Sequence, residues 1–416
     1  MFYNKISIFQ SKNERSVKMK YDFTTVIDRR NMDARSIDNH PYMNIKSKEG
    51  VTPIPMWIAD MSFSTAPSVL KAVNNRLNHP IFGYYAPTDE YYNSIIRWQN
   101  TQNGITGLEK DHILYENGVL GGLSSAIKAF SKDGDAILVH SPCYTGFLGT
   151  LAKFDRKVIS SDLFIDEDGI WRMDYADMDK KIKENNVTLA IFCSPHNPSG
   201  RVWEKDEILA AMQVYKDNDV VVISDEIWSD LLLFGSRHIP TQSVSDDAKT
   251  RTVAFYAPSK TFNLAGLIGS YSITYNDSMR AKLSEVEQQS GYNGMNVLSM
   301  HALIGAYKDE GREWLNELRE VLGENIDYAL DYISKNFPGV NVARPEGTYL
   351  LYLDCSEWLK AHGMTIDELH AAGIREGVLW QDGRAFMRDN TIRMNLALPK
   401  SLLIEAFDRL KSFVFV

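Results

Sequence analysis

Four apolar runs rich in β-branched residues recur along the chain, and segments with helical periodicity separate them. The runs are residues 137–140, 189–193, 220–224 and 252–256, and residues 206–217 are one of the helical segments. This alternation is typical of an α/β fold with a largely parallel sheet between helices. Ligands of such sheets bind at the carboxyl ends of the strands. The residues directly after these runs are therefore candidates for a functional site.

Three of the runs end in residues with complementary chemistry. An amide, Asn197, follows the second run, a carboxylate, Asp225, closes the third, and Lys260 follows the fourth. A lysine buried at a strand end has a lowered pKa and can form a Schiff base. Pyridoxal phosphate (PLP) needs an amine for its aldehyde, a carboxylate for its pyridine nitrogen and an amide for its phenolic oxygen. The set predicts a PLP enzyme, although Asp225 could also be a helix N-cap.

The cofactor's phosphate would need its own binding site. A glycine-rich turn, residues 117–122, follows the strand-like residues 113–115 and opens a helical run at 123–130. Backbone N–H groups at such a helix start bind anions, whereas a plain strand-to-helix turn is the alternative. A tyrosine of residues 83–85 could add a hydroxyl donor. The other predicted phosphate ligands are Gly118, Val119 and Leu120 of this turn, and Ser259 beside Lys260.

Two more side chains complete the predicted site. Tyr144 follows a strand and could stack on the pyridine ring, although an aromatic residue there is often part of the core. Arg393 could bind a substrate carboxylate with two hydrogen bonds, and a surface salt bridge is its alternative role. The predicted catalytic residues are Lys260, which is expected to hold PLP and then remove the Cα proton, Asp225 and Tyr144.

Composition excludes several other functions. The 416 residues include 45 basic and 54 acidic side chains, a net charge of −9 that argues against nucleic acid or an anionic membrane as a partner. Three scattered cysteines, Cys143, Cys193 and Cys355, indicate neither a disulfide framework nor a metal site, and they favour the cytoplasm. No stretch approaches membrane-spanning length, and the N-terminus does not resemble a signal peptide.

The pattern of elements changes after an amphipathic stretch at residues 314–336. Strand-like residues 348–353 and 391–396 then alternate with helical residues 365–376 and 401–413, which predicts a smaller α+β domain. The predicted division is a disordered extension at 1–20, an N-terminal segment at 21–66 that contributes to the small domain and the active-site entrance, a large PLP-binding domain at 67–310, and a small domain at 311–416.

Several segments carry a family resemblance from about Tyr21 to the C-terminus. They are residues 55–63, 79–84, 224–227, 259–263 and 345–349. Together they resemble the fold-type I, aminotransferase-like PLP enzymes, and the Met-Trp-Ile-Ala-Asp-Met text from Met56 is similar to the MalY/PatB branch of cystathionine β-lyases and C–S lyases. The resemblance implies an aminotransferase-like large domain and a homodimer with active sites at the subunit interface.

The same resemblance implies roles for individual residues. Tyr84 would reach the phosphate of the neighbouring subunit, and Trp57 and Asp60 would line the substrate entrance. Asn197 and Tyr349 would join Arg393 in binding substrate. Trp228 stands where relatives often carry a tyrosine that binds the phenolic oxygen, and its indole N–H can donate but not accept.

Two further departures concern the phosphate and the substrate. Ile268 stands where many aminotransferases have an arginine that binds phosphate, and residues 381–388 lack the glycine-rich text of the branch. We expect a C–S lyase that eliminates a thiol from cystathionine or cysteine-like substrates. An aminotransferase is the main alternative, because both reactions begin with loss of the Cα proton. A regulatory protein that binds a partner is a third.

Overall fold

A computed structural model of the chain describes residues 19–291 and 294–416. Residues 1–18 of the predicted extension therefore lie outside the described residues. None of the helices within these two ranges combines the length and hydrophobicity of a membrane span.

The described residues form fifteen strands and fourteen α-helices. The strands are β1 (Ile54–Pro55), β2 (Ile113–Glu116), β3 (Ala136–Ser141), β4 (Lys157–Asp162), β5 (Phe164–Ile165), β6 (Trp171–Arg172), β7 (Leu189–Cys193), β8 (Val221–Asp225), β9 (Thr252–Tyr256), β10 (Ser270–Ile273), β11 (Asn341–Val342), β12 (Leu350–Asp354), β13 (Val378–Leu379), β14 (Gln381–Asp382) and β15 (Thr391–Asn395). The helices are α1 (Pro67–Leu77), α2 (Asp89–Asn103), α3 (Val119–Phe130), α4 (Thr145–Lys153), α5 (Tyr175–Asn185), α6 (Lys205–Asp217), α7 (Asp246–Arg251), α8 (Pro258–Thr261), α9 (Asp277–Ser290), α10 (Val297–Ala306), α11 (Asp309–Asn336), α12 (Ser356–His362), α13 (Ile366–Arg375) and α14 (Lys400–Phe413).

A seven-stranded sheet in the order β2-β10-β9-β8-β7-β3-β4 forms the centre of the molecule. Strands β4, β3, β7, β8 and β9 pair in parallel, and β10 runs antiparallel to both of its neighbours. The four apolar runs of the sequence correspond to β3, β7, β8 and β9. The predicted α/β fold with a mostly parallel sheet is confirmed.

Both faces of this sheet are buried under helices. Alternate residues of β7 show the arrangement, since Leu189 and Ile191 pack toward α3, α4 and α9, whereas Ala190 and Phe192 pack toward α5 and α6. Burial on both sides explains why the central strands read as continuous apolar runs rather than as alternating patterns.

A second sheet, in the order β11-β12-β15-β14, is antiparallel throughout. Its core is continuous with the packing of α1, α2, α10 and α11. Strand β1 pairs in parallel with β13, which attaches the N-terminal segment to this part of the molecule. Helix α13 begins with a capping box between Thr365 and Glu368. The domain boundaries near residues 66 and 310 stay a prediction.

Candidate active site

Most of the predicted site residues line one cavity of about 570 Å³ at the carboxyl edge of the large sheet. Pockets of roughly 300–1,000 Å³ are typical for cofactors and small substrates. The predicted residues in its lining are Trp57, Gly118, Val119, Leu120, Tyr144, Asn197, Asp225, Trp228, Ser259, Lys260 and Arg393. A larger cavity of about 790 Å³ lies between the β5–β6 hairpin and the small sheet, and its lining includes none of the predicted site residues.

Lys260 reaches the cavity from the short helix α8, which Pro258 begins directly after β9. Its Nζ donates a hydrogen bond of 2.8 Å to the backbone carbonyl of Ala59. Burial lowers the pKa of Lys260 to about 8, and the nearby Arg393 guanidinium acts in the same direction. About a tenth of this amine is therefore uncharged at pH 7 and available as a nucleophile or base, far more than for a lysine of ordinary pKa.

Asp225 ends β8 and lies in the same cavity. Its Oδ1 accepts a hydrogen bond of 3.1 Å from the backbone N–H of Ile227. Burial raises the pKa of Asp225 to about 7, although that hydrogen bond and the Lys260 charge both oppose the rise. A cationic N–H placed against this carboxylate would favour its charged form, which suits a partner of a protonated pyridine nitrogen.

Arg393 on β15 is 3% exposed and connects three parts of the site. Its Nη1 donates to Asn197 Oδ1 at 3.1 Å and its Nη2 donates to the Trp57 carbonyl at 3.0 Å. Its buried Nε has no hydrogen-bond partner among the residues described. Burial lowers the pKa of Arg393 to about 10, which leaves it charged at neutral pH. The guanidinium is therefore fixed in place, and Nη1 and Nη2 each keep a second N–H.

Aromatic side chains form the walls of the cavity. The Trp228 ring lies 5.7 Å from Lys260 Nζ and packs edge-on against Tyr349 with centroids 4.9 Å apart. Tyr144 packs over Gly146, where an added Cβ would lie 2.5 Å from the Tyr144 ring. Only glycine allows this ring position, because any side chain at 146 would displace the tyrosine.

The glycine-rich turn supplies the other end of the cavity. Gly118 is the N-cap of α3 with φ of 77°, a conformation that favours glycine. The first N–H groups of α3 have no partner within the helix and can bind an anion. Two apolar residues at this end, Leu120 and Ile268, are 37% and 54% exposed. The phosphate end is therefore open on one side.

Three predicted site residues do not line the cavity. Asp60 was expected at the entrance, but its carboxylate pairs with Arg29 at 2.7 Å. Tyr349 lies behind Trp228 in the buried core. Tyr84 is fully exposed in a separate surface pocket with Tyr85 and Tyr115. The predicted role of Tyr84 at the phosphate of a neighbouring subunit involves a second copy of the chain and stays a prediction.

Several lining residues were not predicted from the sequence. They include Arg35, Ile58, Ala59, Asn117, Thr145 and Gln381. Ala59 contributes a backbone carbonyl, which no side-chain pattern can reveal. Arg35 lies in an irregular segment without periodicity, and Gln381 is on a strand of only two residues. Asn117, as the first residue of the glycine-rich turn, and Ile58 and Ala59, in the Met-Trp-Ile-Ala-Asp-Met text, did lie in segments that the sequence had singled out.

The residues present fit PLP. The cavity holds an amine of lowered pKa, a buried carboxylate, the Asn197 amide and a helix N-terminus, which match the aldehyde, pyridine nitrogen, phenolic oxygen and phosphate. No cluster of three or more His, Cys, Asp or Glu side chains suited to a metal ion occurs within the described ranges.

Comparison with known proteins places the chain in a family. A family model described as aminotransferase class I and II matches residues 54–410. The chain belongs to this family. It is 35% identical to cystathionine beta-lyase PatB of Bacillus subtilis over 367 residues, 87% of this chain and 93% of that protein. It is 31% identical to protein MalY of Escherichia coli over 390 residues, 92% of this chain and 96% of that protein.

A solved structure of a similar protein shares the fold. Cystalysin from Treponema denticola, which contains a PLP cofactor, has a TM-score of 0.88 at 30% identity, with 94% of this chain and 98% of that chain covered. The family resemblance read from the sequence motifs is confirmed.

Proposed function

We propose that the protein is a PLP-dependent C–S lyase that performs α,β-elimination on cystathionine or cysteine-like substrates. The proposal rests on one observation above all, that Lys260, Asp225, Asn197 and Arg393 line the same cavity. The chain that contains this cavity is similar to PatB and MalY over most of its length. The net reaction converts an S-substituted cysteine and water into a thiol, pyruvate and ammonia.

Different residues of the cavity are suited to different steps of this reaction. PLP bound here supplies the electron sink that stabilises negative charge at Cα. Lys260 would hold the cofactor through its amine and would also be the base that takes the Cα proton of the bound substrate. Asp225 keeps the pyridine nitrogen protonated, because its carboxylate is the only acidic side chain in the described lining of the cavity.

Arg393 and its neighbours orient the substrate. Arg393 lines the cavity, and the second N–H groups of its Nη1 and Nη2 are suited to the α-carboxylate. Its bonds to Asn197 and Trp57 hold the guanidinium plane fixed. Asn197 accepts from Arg393 through Oδ1, so its amide N–H groups are available to the phenolic oxygen of PLP. A fixed carboxylate directs the Cα–H bond toward Lys260, which lowers the entropic cost of proton transfer.

A substrate panel tests the lyase function. The purified holoenzyme is incubated with cystathionine, cysteine and S-methylcysteine, and pyruvate and free thiol are measured. We expect both products in equal amounts, and Lys260→Ala should abolish them together with the absorbance of the covalently bound cofactor. Absence of pyruvate from every member of the panel would refute the function.

An aminotransferase is the second candidate, and the description of the matched family favours it. The same lysine, aspartate and arginine would serve, because the two reactions differ in the leaving group at Cβ and in where the proton returns. Incubation with L-alanine and a 2-keto acid distinguishes them. Formation of a new amino acid at a rate above that of pyruvate release from S-methylcysteine would favour transfer.

The site suggests a homodimer. Residues around Tyr84 expose large apolar side chains, with Ile81 at 65% and Phe82 at 56%, and the phosphate end of the cavity is open. A second subunit that covers this surface could place its Tyr84 hydroxyl at the phosphate. The three buried, unpaired cysteines suit a reducing cytoplasm.

Mixed dimers test the shared site. If Tyr84 acts across the interface, a dimer of one Lys260→Ala subunit and one Tyr84→Phe subunit contains one site with both defects and one site with neither. At a PLP concentration that leaves Tyr84→Phe homodimers mostly empty, mixing should restore activity that neither parent shows. Unchanged low activity after verified subunit exchange would refute the arrangement.

A further inference from the structure

The cavity contains one positive charge more than the proposed reaction uses. Its described charged lining residues are Arg35, Lys260, Arg393 and Asp225. Asp225 would bind the pyridine nitrogen, Lys260 the aldehyde carbon and Arg393 the α-carboxylate. The N-terminus of α3 would bind the phosphate. The guanidinium of Arg35 therefore has no counterpart in either the cofactor or a simple amino acid.

Arg35 also has no partner in the folded chain. No ion pair or side-chain hydrogen bond joins it to another residue within 19–291 and 294–416, and it is exposed at the edge of the cavity. Neighbouring arginines differ, since Arg29 pairs with Asp60 and Arg30 pairs with Asp28. An arginine that faces a ligand cavity without a protein partner is available to an anionic ligand group.

The backbone next to Arg35 is linked through Trp57 to the substrate-binding arginine. The next residue, Ser36, accepts a hydrogen bond of 3.0 Å at its carbonyl from the Trp57 indole N–H. The Trp57 carbonyl in turn accepts from Arg393. The positive charge of Arg35 also acts inside the cavity. Burial raises the pKa of Tyr144, and the charges of Arg393 and Arg35 both oppose that rise.

Gln381 lies in the same cavity on the neighbouring strand. It is directly opposite Arg393 in the antiparallel pair of β14 and β15. Residues directly opposite each other in such a pair present their side chains on the same face of the sheet. Gln381 therefore adds a neutral amide beside Arg393, in a lining that also contains Arg35.

We propose that Arg35 and Gln381 form a subsite for a carboxylate on the departing part of the substrate. The inference rests on the proposed lyase function and extends it to a substrate class, the S-substituted cysteines whose thiol leaving group carries a carboxylate. Cystathionine belongs to this class through its second carboxylate, whereas cysteine and S-alkyl cysteines do not. A guanidinium matches a carboxylate with two parallel hydrogen bonds, and the amide can add a third.

A matched pair of substrates isolates this subsite. S-carboxymethylcysteine and S-carbamoylmethylcysteine differ only in a carboxylate against an amide. We expect Arg35→Ala to lower kcat/KM for the carboxylate substrate by about tenfold and for the amide substrate by less than twofold. Each substrate is compared with itself across variants, so the different reactivity of the two leaving thiols cancels. Arg35→Lys should retain part of the preference, and Gln381→Glu should reduce it by charge repulsion.

Controls separate the subsite from a structural role. Arg30→Ala removes a nearby arginine that is paired outside the cavity and should leave the preference unchanged. Equal losses on both substrates would assign Arg35 to a shared part of the substrate, and equal rates in variant and parent would remove it from the site. Loss of PLP or of the dimer in Arg35→Ala would make its role structural. Each of these three results would overturn the proposal.

A binding measurement keeps the inference independent of turnover. L-2-aminoadipate and L-norleucine have the same length, lack a leaving group and differ in the distal carboxylate. Titration of the holoenzyme, followed by the cofactor absorbance, should show tighter binding of aminoadipate by about tenfold and loss of that preference in Arg35→Ala. If the panel releases no pyruvate, the lyase function fails. If this binding preference is absent in the parent enzyme, the subsite fails.

Discussion

Replacement of Arg393 by lysine tests the arrangement at the centre of the site. Arg393 makes two hydrogen bonds in one plane, to Asn197 at 3.1 Å and to Trp57 at 3.0 Å, and keeps the second N–H groups of Nη1 and Nη2 for the substrate. A lysine ammonium retains the charge but cannot reach three acceptors from one fixed geometry. A charge-assisted hydrogen bond contributes about 1.5–3 kcal/mol, so loss of one such bond to the bound carboxylate corresponds to roughly a 10- to 150-fold decrease in kcat/KM.

The assay is steady-state pyruvate release from an S-substituted cysteine, with bound PLP measured on the same samples. We expect KM to rise strongly while PLP stays bound, because Arg393 contacts substrate rather than cofactor. Arg384→Lys is the matched control, since Arg384 is on the same part of the chain but pairs with Asp367 and Asp382 outside the cavity lining. Parent-like kinetics in Arg393→Lys, or loss of its cofactor, would refute the reasoning.

Three further predictions concern the lysine, the dimer and the fold. The rate at which the apoenzyme takes up PLP covalently should rise with pH to a midpoint near 8, because only the neutral Lys260 amine attacks the aldehyde; stopped-flow absorbance measures it, and a midpoint above 10 would contradict the lowered pKa. Tyr84→Phe should weaken PLP affinity by roughly 1.5–3 kcal/mol in equilibrium dialysis while sedimentation still shows a dimer, and unchanged affinity would place the hydroxyl elsewhere. Gly200→Ala should reduce the free energy of unfolding by about 2–4 kcal/mol in urea titration, because Gly200 has φ of 72° and the new Cβ would lie 2.4 Å from Pro345 Cβ. Gly235→Ala, with φ of 81° but no atom within 4 Å, should cost only the backbone strain of about 1–2 kcal/mol, and an equal loss in both variants would exclude the contact with Pro345.

Local pattern was sufficient for the central strands. Strands β3, β7, β8 and β9 are buried on both faces, so their apolar, β-branched composition appears in the sequence without any knowledge of their neighbours. The polar residues that follow them share one edge because parallel strands end on the same side. For this reason Asn197, Asp225 and Lys260 could be assigned to one site before their positions were known.

Other parts of the architecture depended on pairing between distant residues. The strand order and the reversed direction of β10 follow from how the strands and helices pack together, and no short window of sequence encodes them. Strand β1 pairs with β13 although Ile54 and Val378 lie far apart in the chain. Strands of two residues are too short to carry a readable period.

The sequence by itself therefore determined the fold class, the cofactor chemistry and the three strand-end residues, because each is expressed in local composition and spacing. Only the tertiary structure decided which groups complete the site. It brought the Ala59 carbonyl to Lys260, fixed Arg393 against Asn197 and Trp57, paired Asp60 with Arg29, and placed Arg35 and Gln381 in the cavity lining. The physical reason is that hydrogen bonds and charge pairs between distant segments depend on side-chain packing in three dimensions. Local periodicity in the sequence does not encode that packing.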